Sequence, residues 1–245
     1  MYKGIDLSKH NGKVDFAKVK ANGIDFVILR AGFGKVMTQK DPMFEEYYSK
    51  AKSVGLDVGA YWYSYAQNVP EAAKEAQCCV EAIKGKRFEY PIYFDLEEQK
   101  QLSKGKAFCS ELIKTFCLYI EEAGYWAGFY TSRSVLQTNI NDRIAKRFAV
   151  WIAEWSDRCK YTGEYGIWQY SEKGQIDGIN GYVDLDNCYV DYPAAIKRLK
   201  LNGYKEKRYI IEIGGLVGGL EEQQALKELE YLRKHYPHVN MREVT

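Results

Sequence analysis

Tyr90-Pro-Ile-Tyr-Phe-Asp-Leu-Glu97 sets the terms on which the rest of the chain is read. Pro91 to Phe94 is apolar and aromatic between polar flanks, the pattern of a buried strand. The same strand is expected to carry Asp95 and Glu97 at its C-terminal end. Residues i and i+2 of a strand share a face and lie about 6–7 Å apart along the chain. Two carboxylates there oppose each other's ionisation, and an apolar floor raises their pKa values further. Such a pair suits a general acid kept protonated beside an ionised neighbour. A strand end simply meeting water would carry acids too, so the surrounding sequence has to decide.

Outward from this stretch, strand and helix patterns alternate. Strands are expected at Tyr2–Leu7, Phe26–Ala31, Val58–Tyr65, Pro91–Glu97 and Trp126–Thr131. Helices are expected at Asp15–Asn22, Pro42–Val54, Pro70–Lys84 and Ser103–Ala123, three of them ending at Gly23, Gly55 and Gly124, residues that stop helices readily. Ser134–Ile144 reads as a short irregular helix. After it, Phe148–Ala153, Tyr165–Tyr170 and Val183–Tyr189 read as strands joined by loops. Five strand–helix units followed by three strands predict an α/β fold, a TIM-like (β/α)5(β)3 barrel with an incomplete helical jacket. No G-x-G-x-x-G follows the first strand, which argues against a dinucleotide-binding sheet.

In such barrels the C-terminal strand ends build the site. Asp6, Arg30, Tyr61, Tyr63, Asp95, Glu97, Tyr130, Trp151, Gln169 and Asp184 fall at or near those ends, although Asp184 stands early in its strand. Converging carboxylates with tyrosines and a tryptophan make a carbohydrate cleft. Tyr61 and Tyr63 would serve equally as barrel filling, Trp151 as core, and Arg30 as an ion-pair partner of Asp6 or Asp95. Of the histidines His10, His235 and His238, none sits in a pattern suited to a general base, and His10 reads as a surface or structural residue.

The 245 residues carry a formal net charge of +2, 21 tyrosines and six cysteines. Near-balanced charge gives no electrostatic case for nucleic acid. Cys78, Cys79, Cys109, Cys117, Cys159 and Cys188 form no C-x-x-C pair and no zinc-like spacing, so buried free thiols and a reducing compartment are expected. No metal or other cofactor is called for. Met1-Tyr-Lys-Gly-Ile-Asp6 reads as a strand, and neither a signal peptide nor a membrane-spanning run is expected.

The order and spacing of several short motifs then resemble the lysozymes of glycoside hydrolase family 25. They are Gly4-Ile-Asp6-Leu-Ser8, Phe26-Val-Ile-Leu-Arg30-Ala-Gly32, Gly59-Ala-Tyr61, Phe94-Asp95-Leu-Glu97 and Gly128-Phe-Tyr130, then Trp151-Ile-Ala153, Trp168-Gln169-Tyr170-Ser171 and Gly181-Tyr-Val-Asp184-Leu-Asp186. The resemblance covers roughly residues 1–200 and implies the flattened (β/α)5(β)3 barrel of that family. It implies cleavage of the β-1,4 bond between N-acetylmuramic acid and N-acetylglucosamine in the glycan strands of bacterial peptidoglycan. By position Glu97 would be the general acid, Asp95 would orient or charge-stabilise the substrate N-acetyl group, and Asp6 and Asp184 would hold that network. Arg30, Tyr61, Tyr63, Tyr130, Trp151 and Gln169 would touch substrate. Substrate-assisted hydrolysis is an exception to the two-carboxylate scheme and predicts retention, although the spacing by itself leaves the stereochemistry open. The protein would be made in the cytoplasm and reach the wall by holin-type release or lysis.

Two other readings stay open: an inactive barrel that binds peptidoglycan, and a chitinase-like N-acetylhexosamine glycosidase. The chitinase signature has aspartates upstream where this chain has Tyr93 and Tyr90. The catalytic barrel is expected over residues 1–201. Asn202–Lys207 reads as a charged linker and residues 208–245 as a small β-α-β extension: strand Arg208–Ile213, flexible turn Gly214–Gly219, helix Glu221–His235 and strand Val239–Val244. A unit this small rarely stands alone. It is expected to dock on the barrel, to form weak homo-oligomers, or to be part of a wall-binding module.

Overall fold

The computed structural model describes residues 1–204, 208–213, 216–233 and 240–244. Eight strands close into a barrel in sequence order: β1 (Tyr2–Leu7), β2 (Phe26–Phe33), β3 (Asp57–Tyr63), β4 (Ile92–Asp95), β5 (Ala127–Ser132), β6 (Ala149–Ala153), β7 (Ile167–Gly174) and β8 (Val183–Cys188). Neighbours from β1 to β7 pair in parallel, while β8 runs antiparallel to both β7 and β1 and so closes the cylinder. The (β/α)5(β)3 expectation is met. Its helices are α1 (Phe16–Ala21), α2 (Phe44–Ser53), α3 (Val69–Ile83), α4 (Gln99–Leu102), α5 (Lys106–Glu122), α6 (Arg133–Asn139), α7 (Asp142–Arg147) and α8 (Tyr192–Arg198).

Local chemistry explains most boundaries. Asp15 caps α1 by accepting from the amides of Ala17 and Lys18, and Asn68 caps α3 by accepting from Glu71 N, with Pro70 in the first turn. Two sequence expectations are corrected. The helix expected at Ser103–Ala123 starts only at Lys106, after Gly105, whose φ of 82° only glycine adopts freely, and a separate short helix, α4, precedes that turn. The strand expected to reach Glu97 ends at Asp95, so Glu97 stands on the loop above it.

Strand alternation divides the core in two. One set of side chains, among them Val27, Leu29, Val58, Ala60, Ile92, Phe94, Phe129, Val150 and Ile152, packs outward against helix residues such as Cys79, Ile83, Ile113 and Phe116. Phe94 and Phe116 meet with ring centroids 4.7 Å apart. The other set fills the cylinder. Toward the N-terminal strand ends these are rings: Phe26 stacks on Tyr90 at 4.2 Å, and Tyr192 packs on Tyr90 at 5.9 Å and on Trp126 at 5.6 Å. Facing glycines make the room. A Cβ on Gly4 would lie 2.2 Å from the Phe26 ring, and one on Gly128 would lie 2.6 Å from the Tyr93 ring. Burying large rings this way supplies more free energy per residue than aliphatic filling.

Asn202 latches this lower end. It is fully buried, adopts a φ of 53° that asparagine tolerates, accepts from Trp126 N at 2.6 Å and donates to Tyr90 O at 2.8 Å. Five of the six cysteines are buried, and all six are free thiols. Among the described residues, no helix is long and apolar enough to cross a membrane.

Residues 204–245 form a second compact unit, apart from residues 1–203. Within it β9 (Arg208–Ile213) is the middle strand, flanked antiparallel by β10 (Leu216–Glu221) and β11 (Asn240–Val244), with helix α9 (Glu222–Arg233) between β10 and β11 in sequence. The expected β-α-β unit is therefore ββαβ. Residues 216–219, read as part of a flexible turn, lie in a paired strand, because cross-strand hydrogen bonding overrides glycine's weak strand preference. Residues 214 and 215 of that turn, residues 205–207 of the linker, residues 234 and 235 of the helix and residue 239 of the last strand lie outside the described residues.

Candidate active site

The rim where β1 to β7 end carries a cavity of about 310 Å³. Asp6, Arg30, Tyr61, Tyr63, Asp95, Glu97, Tyr130, Trp151, Gln169 and Asp184 all line it, joined by Trp155 and Glu172. Register explains the convergence. Tyr63 pairs with Asp95, Asp95 with Tyr130 and Tyr130 with Trp151, while Gln169 pairs with Ala153, two residues beyond Trp151 on β6, so successive strands bring inward residues to the rim and to the floor just beneath it. Asp184 joins because β8 is antiparallel. Its first residues lie at the rim, and Asp184 pairs directly with Asp6.

Trp151 forms the floor at 2% exposure. Its ring meets those of Tyr130, Tyr93 and Tyr61 at 4.6, 5.4 and 6.0 Å, and its Nε1 donates to Asp186 Oδ1 at 2.8 Å. Trp151 is thus chiefly a support. Gln169 is held from three sides. Its Nε2 donates to Asp6 Oδ2 at 2.8 Å, and its Oε1 accepts from Tyr130 OH at 3.0 Å and from Trp155 Nε1 at 3.1 Å. Trp155 itself is 56% exposed, so a face of its ring stays open to solvent. Tyr63 OH donates to Glu98 Oε1 at 2.7 Å.

Arg30 pairs with neither Asp6 nor Asp95. Its Nε donates to Asp41 Oδ2 at 2.7 Å, and Asp41 is held by the amides of Lys9 and Met43. Asp41 lies in the loop after β2, where no strand or helix period marks it in the sequence. The Arg30 charge still reaches the site and lowers the pKa of Asp95.

The carboxylates are concentrated where solvent is scarce. Burial pushes Asp95 well above the ordinary aspartate range, and the charge of Glu97 adds to this. Asp95 Oδ1 is buried with no hydrogen-bond partner, a costly state for an acceptor unless a ligand supplies a donor. Glu97 is raised by desolvation, with Tyr63 opposing and the charge of Glu98 adding. Its side chain is nonetheless exposed at the cavity mouth, which tempers the shift. Asp6 is pushed well up by burial, then by Asp184 and Asp186; burial also takes Asp184 to about 6 and raises Asp186. Three acids this close hold their charge only by sharing protons.

Asp186, Trp155, Glu172 and Glu98 escaped the sequence reading. Asp186 was reachable by the i, i+2 rule applied to Asp95 and Glu97, since it stands two residues after Asp184 and its carboxyl reaches Asp6 and Trp151. Trp155 and Glu98 stand on loops, where no period marks a facing, and Glu172 lies in β7 beyond a register shift that breaks the alternation. Among the described residues, no group of three or more His, Cys, Asp or Glu side chains is arranged to hold a metal ion.

A closed barrel bearing a carboxylate cluster in an aromatic-walled rim cavity is the framework of a glycoside hydrolase. The sequence pattern of the Glycosyl hydrolases family 25 matches residues 5–179, and the chain belongs to that family. It is 30% identical over 185 residues to the autolytic lysozyme of Clostridium acetobutylicum, an alignment covering 75% of this chain and 55% of that one. The chain thus spans little more than half of this relative. The solved CTP1L endolysin superposes with a TM-score of 0.71 at 26% identity, over 84% of this chain and 71% of its own. The autolysin LytC of Streptococcus pneumoniae, solved with a synthetic peptidoglycan ligand, superposes at 0.69 and 29% identity, over 77% of this chain and 46% of its own.

Proposed function

We propose that this chain is a muramidase, hydrolysing the β-1,4 bond between N-acetylmuramic acid and N-acetylglucosamine in bacterial peptidoglycan. The observation that carries the reading is the pairing of a deeply buried Asp95, whose Oδ1 lacks a partner, with Glu97 two residues on at the mouth of the same cavity. Glu97, whose pKa is raised by desolvation, gives its proton to the glycosidic oxygen as the bond to C1 breaks. The carbonyl oxygen of the sugar's own 2-acetamido group closes on C1 and forms an oxazolinium ion. Asp95 accepts the acetamido N–H and balances the positive charge, its ionised form supported by Arg30. Water then opens the ring at C1 and yields its proton to the Glu97 carboxylate, which restores the acid and retains the configuration.

Asp6 and Asp184 act behind this pair. Asp6 fixes the Gln169 amide, and Asp184, titrating near 6, keeps the negative field of the site dependent on pH. Tyr61, Tyr63, Tyr130 and the open face of Trp155 provide flat surfaces for sugar rings. The name of the Clostridium relative and the ligand of the pneumococcal one support the substrate class.

Incubation with purified peptidoglycan is expected to release new reducing ends whose anomeric configuration, followed by NMR, is retained. Folded protein that binds walls and releases none would make it a binding barrel. Preference for chitin oligomers over peptidoglycan would make it a different hexosaminidase.

A further inference from the structure

A second cavity, of about 340 Å³, shares Arg30 and Tyr63 with the catalytic one and is otherwise lined by Lys9, His10, Phe33 and Tyr65. No carboxylate lines it. Among the described residues, neither the Lys9 amine nor the His10 ring has an ion pair or hydrogen bond, and Arg30 Nη2 is buried without a hydrogen-bond partner. Asp41 engages Arg30 only through Nε, which leaves the far side of the guanidinium unmatched. The other wall is aromatic: Phe33 and Tyr65 meet edge to face at 6.1 Å, Tyr65 lies 5.1 Å from Tyr63, and the Arg30 guanidinium sits 5.9 Å from the Phe33 ring. Tyr65 is 47% exposed. Cationic donors facing a flat apolar wall fit a carboxylate carried on a short organic arm.

We propose that this cavity is a specificity subsite for a carboxylate borne by the muramic acid unit of the substrate. It rests on the muramidase reading, since the shared Arg30 and Tyr63 tie the two cavities to one bound glycan. The carboxylate has two sources, the lactyl group of a muramic acid stripped of peptide and the acidic residues of the peptide stem. Lys9 and His10, on the turn after β1, would discriminate charged from amidated substrate.

The test uses three tetrasaccharides: one with free lactyl carboxylates, one with acidic stems and one with fully amidated stems. Binding is measured by calorimetry on Glu97→Gln, so no result depends on turnover. At least one carboxylate form is expected to bind about three- to tenfold tighter than the amidated form, and which one does so identifies the source. Lys9→Ala/His10→Ala in the same background should bring the ratio to about one. Equal affinities for all three in the Glu97→Gln protein would overturn the proposal, whatever the double variant does. A ratio that persists in a folded double variant would overturn it as well. Discrimination without cleavage by the native chain would instead refute the hydrolase reading alone.

Discussion

The two ends of the barrel interior are lined by the same strands, with Tyr90 from the loop before β4 and Tyr192 from α8 added at the lower one, and could hardly be filled more differently. At the lower end Phe26, Tyr90, Tyr93 and Tyr192 are packed over Gly4 and Gly128. At the upper end the same inward positions carry Asp6, Arg30, Asp95, Gln169 and Asp184. The lower end gains free energy from ring burial, although the Tyr90 and Tyr93 hydroxyls are buried without a hydrogen-bond partner; the upper end gives more of it back by holding acids away from water, with an oxygen of Asp95 and one of Asp186 likewise unpartnered. Stability and chemistry are thus separated along the barrel axis, and each can be disturbed with little effect on the other.

The strongest disturbance belongs to the upper end. Glu97→Gln should lower kcat by about 10²–10⁴, the usual contribution of a general acid, with an unchanged circular dichroism spectrum. Because the Glu97 pKa is raised, the alkaline limb of the native pH–rate profile should lie above the ordinary glutamate range. Next in size is a change at the lower end. Gly4→Val would drive a side chain into the Phe26 ring and should cost about 1–3 kcal/mol in denaturant melts, leaving kcat per folded molecule close to native. If it abolished turnover in folded protein, the separation of the two ends would fail.

A smaller effect tests the sign of the electrostatics. Asp6, Asp184 and Asp186 have folded pKa values raised above their unfolded ones. Their contribution to stability is complete below the unfolded value near 4 and is lost as pH rises through the folded value, about 6 for Asp184. Melting temperature should therefore fall between pH 4 and pH 7 by this term. Asp186→Asn should melt higher than the native chain at pH 8, by about 2–4 °C for each kcal/mol relieved, and should lose that advantage at pH 4. The smallest effect is expected from Tyr61→Phe, which removes a hydroxyl at the rim but keeps the ring against Trp151. KM should rise a few-fold, by about the value of one neutral hydrogen bond, with the melting point unmoved.

Much of this was legible in local sequence, because alternation and helix stops report backbone state directly. The strand carrying Phe94 and Asp95 and the glycine ends of the first helices are of that kind. What local pattern does not encode is which strand lies beside which, and in what direction. Asp184 stands early in its strand and reaches the rim because β8 is antiparallel, a direction the local pattern does not carry. The partner of Arg30 was equally hidden, since Asp41 reaches it from a loop after a register shift in β2. Leu216–Glu221 is a strand only because β9 pairs with it. In each case a pairing between separate elements, within a hairpin or across the barrel, decides what local pattern cannot.

The proposed bond cleavage is tested most directly by digesting purified peptidoglycan, reducing the products with borohydride and identifying the terminal sugar by mass spectrometry. A muramidase leaves muramitol at the new ends, produced by native protein and not by Glu97→Gln. Glucosaminitol ends, or muramitol formed equally well without the Glu97 carboxyl, would contradict the account.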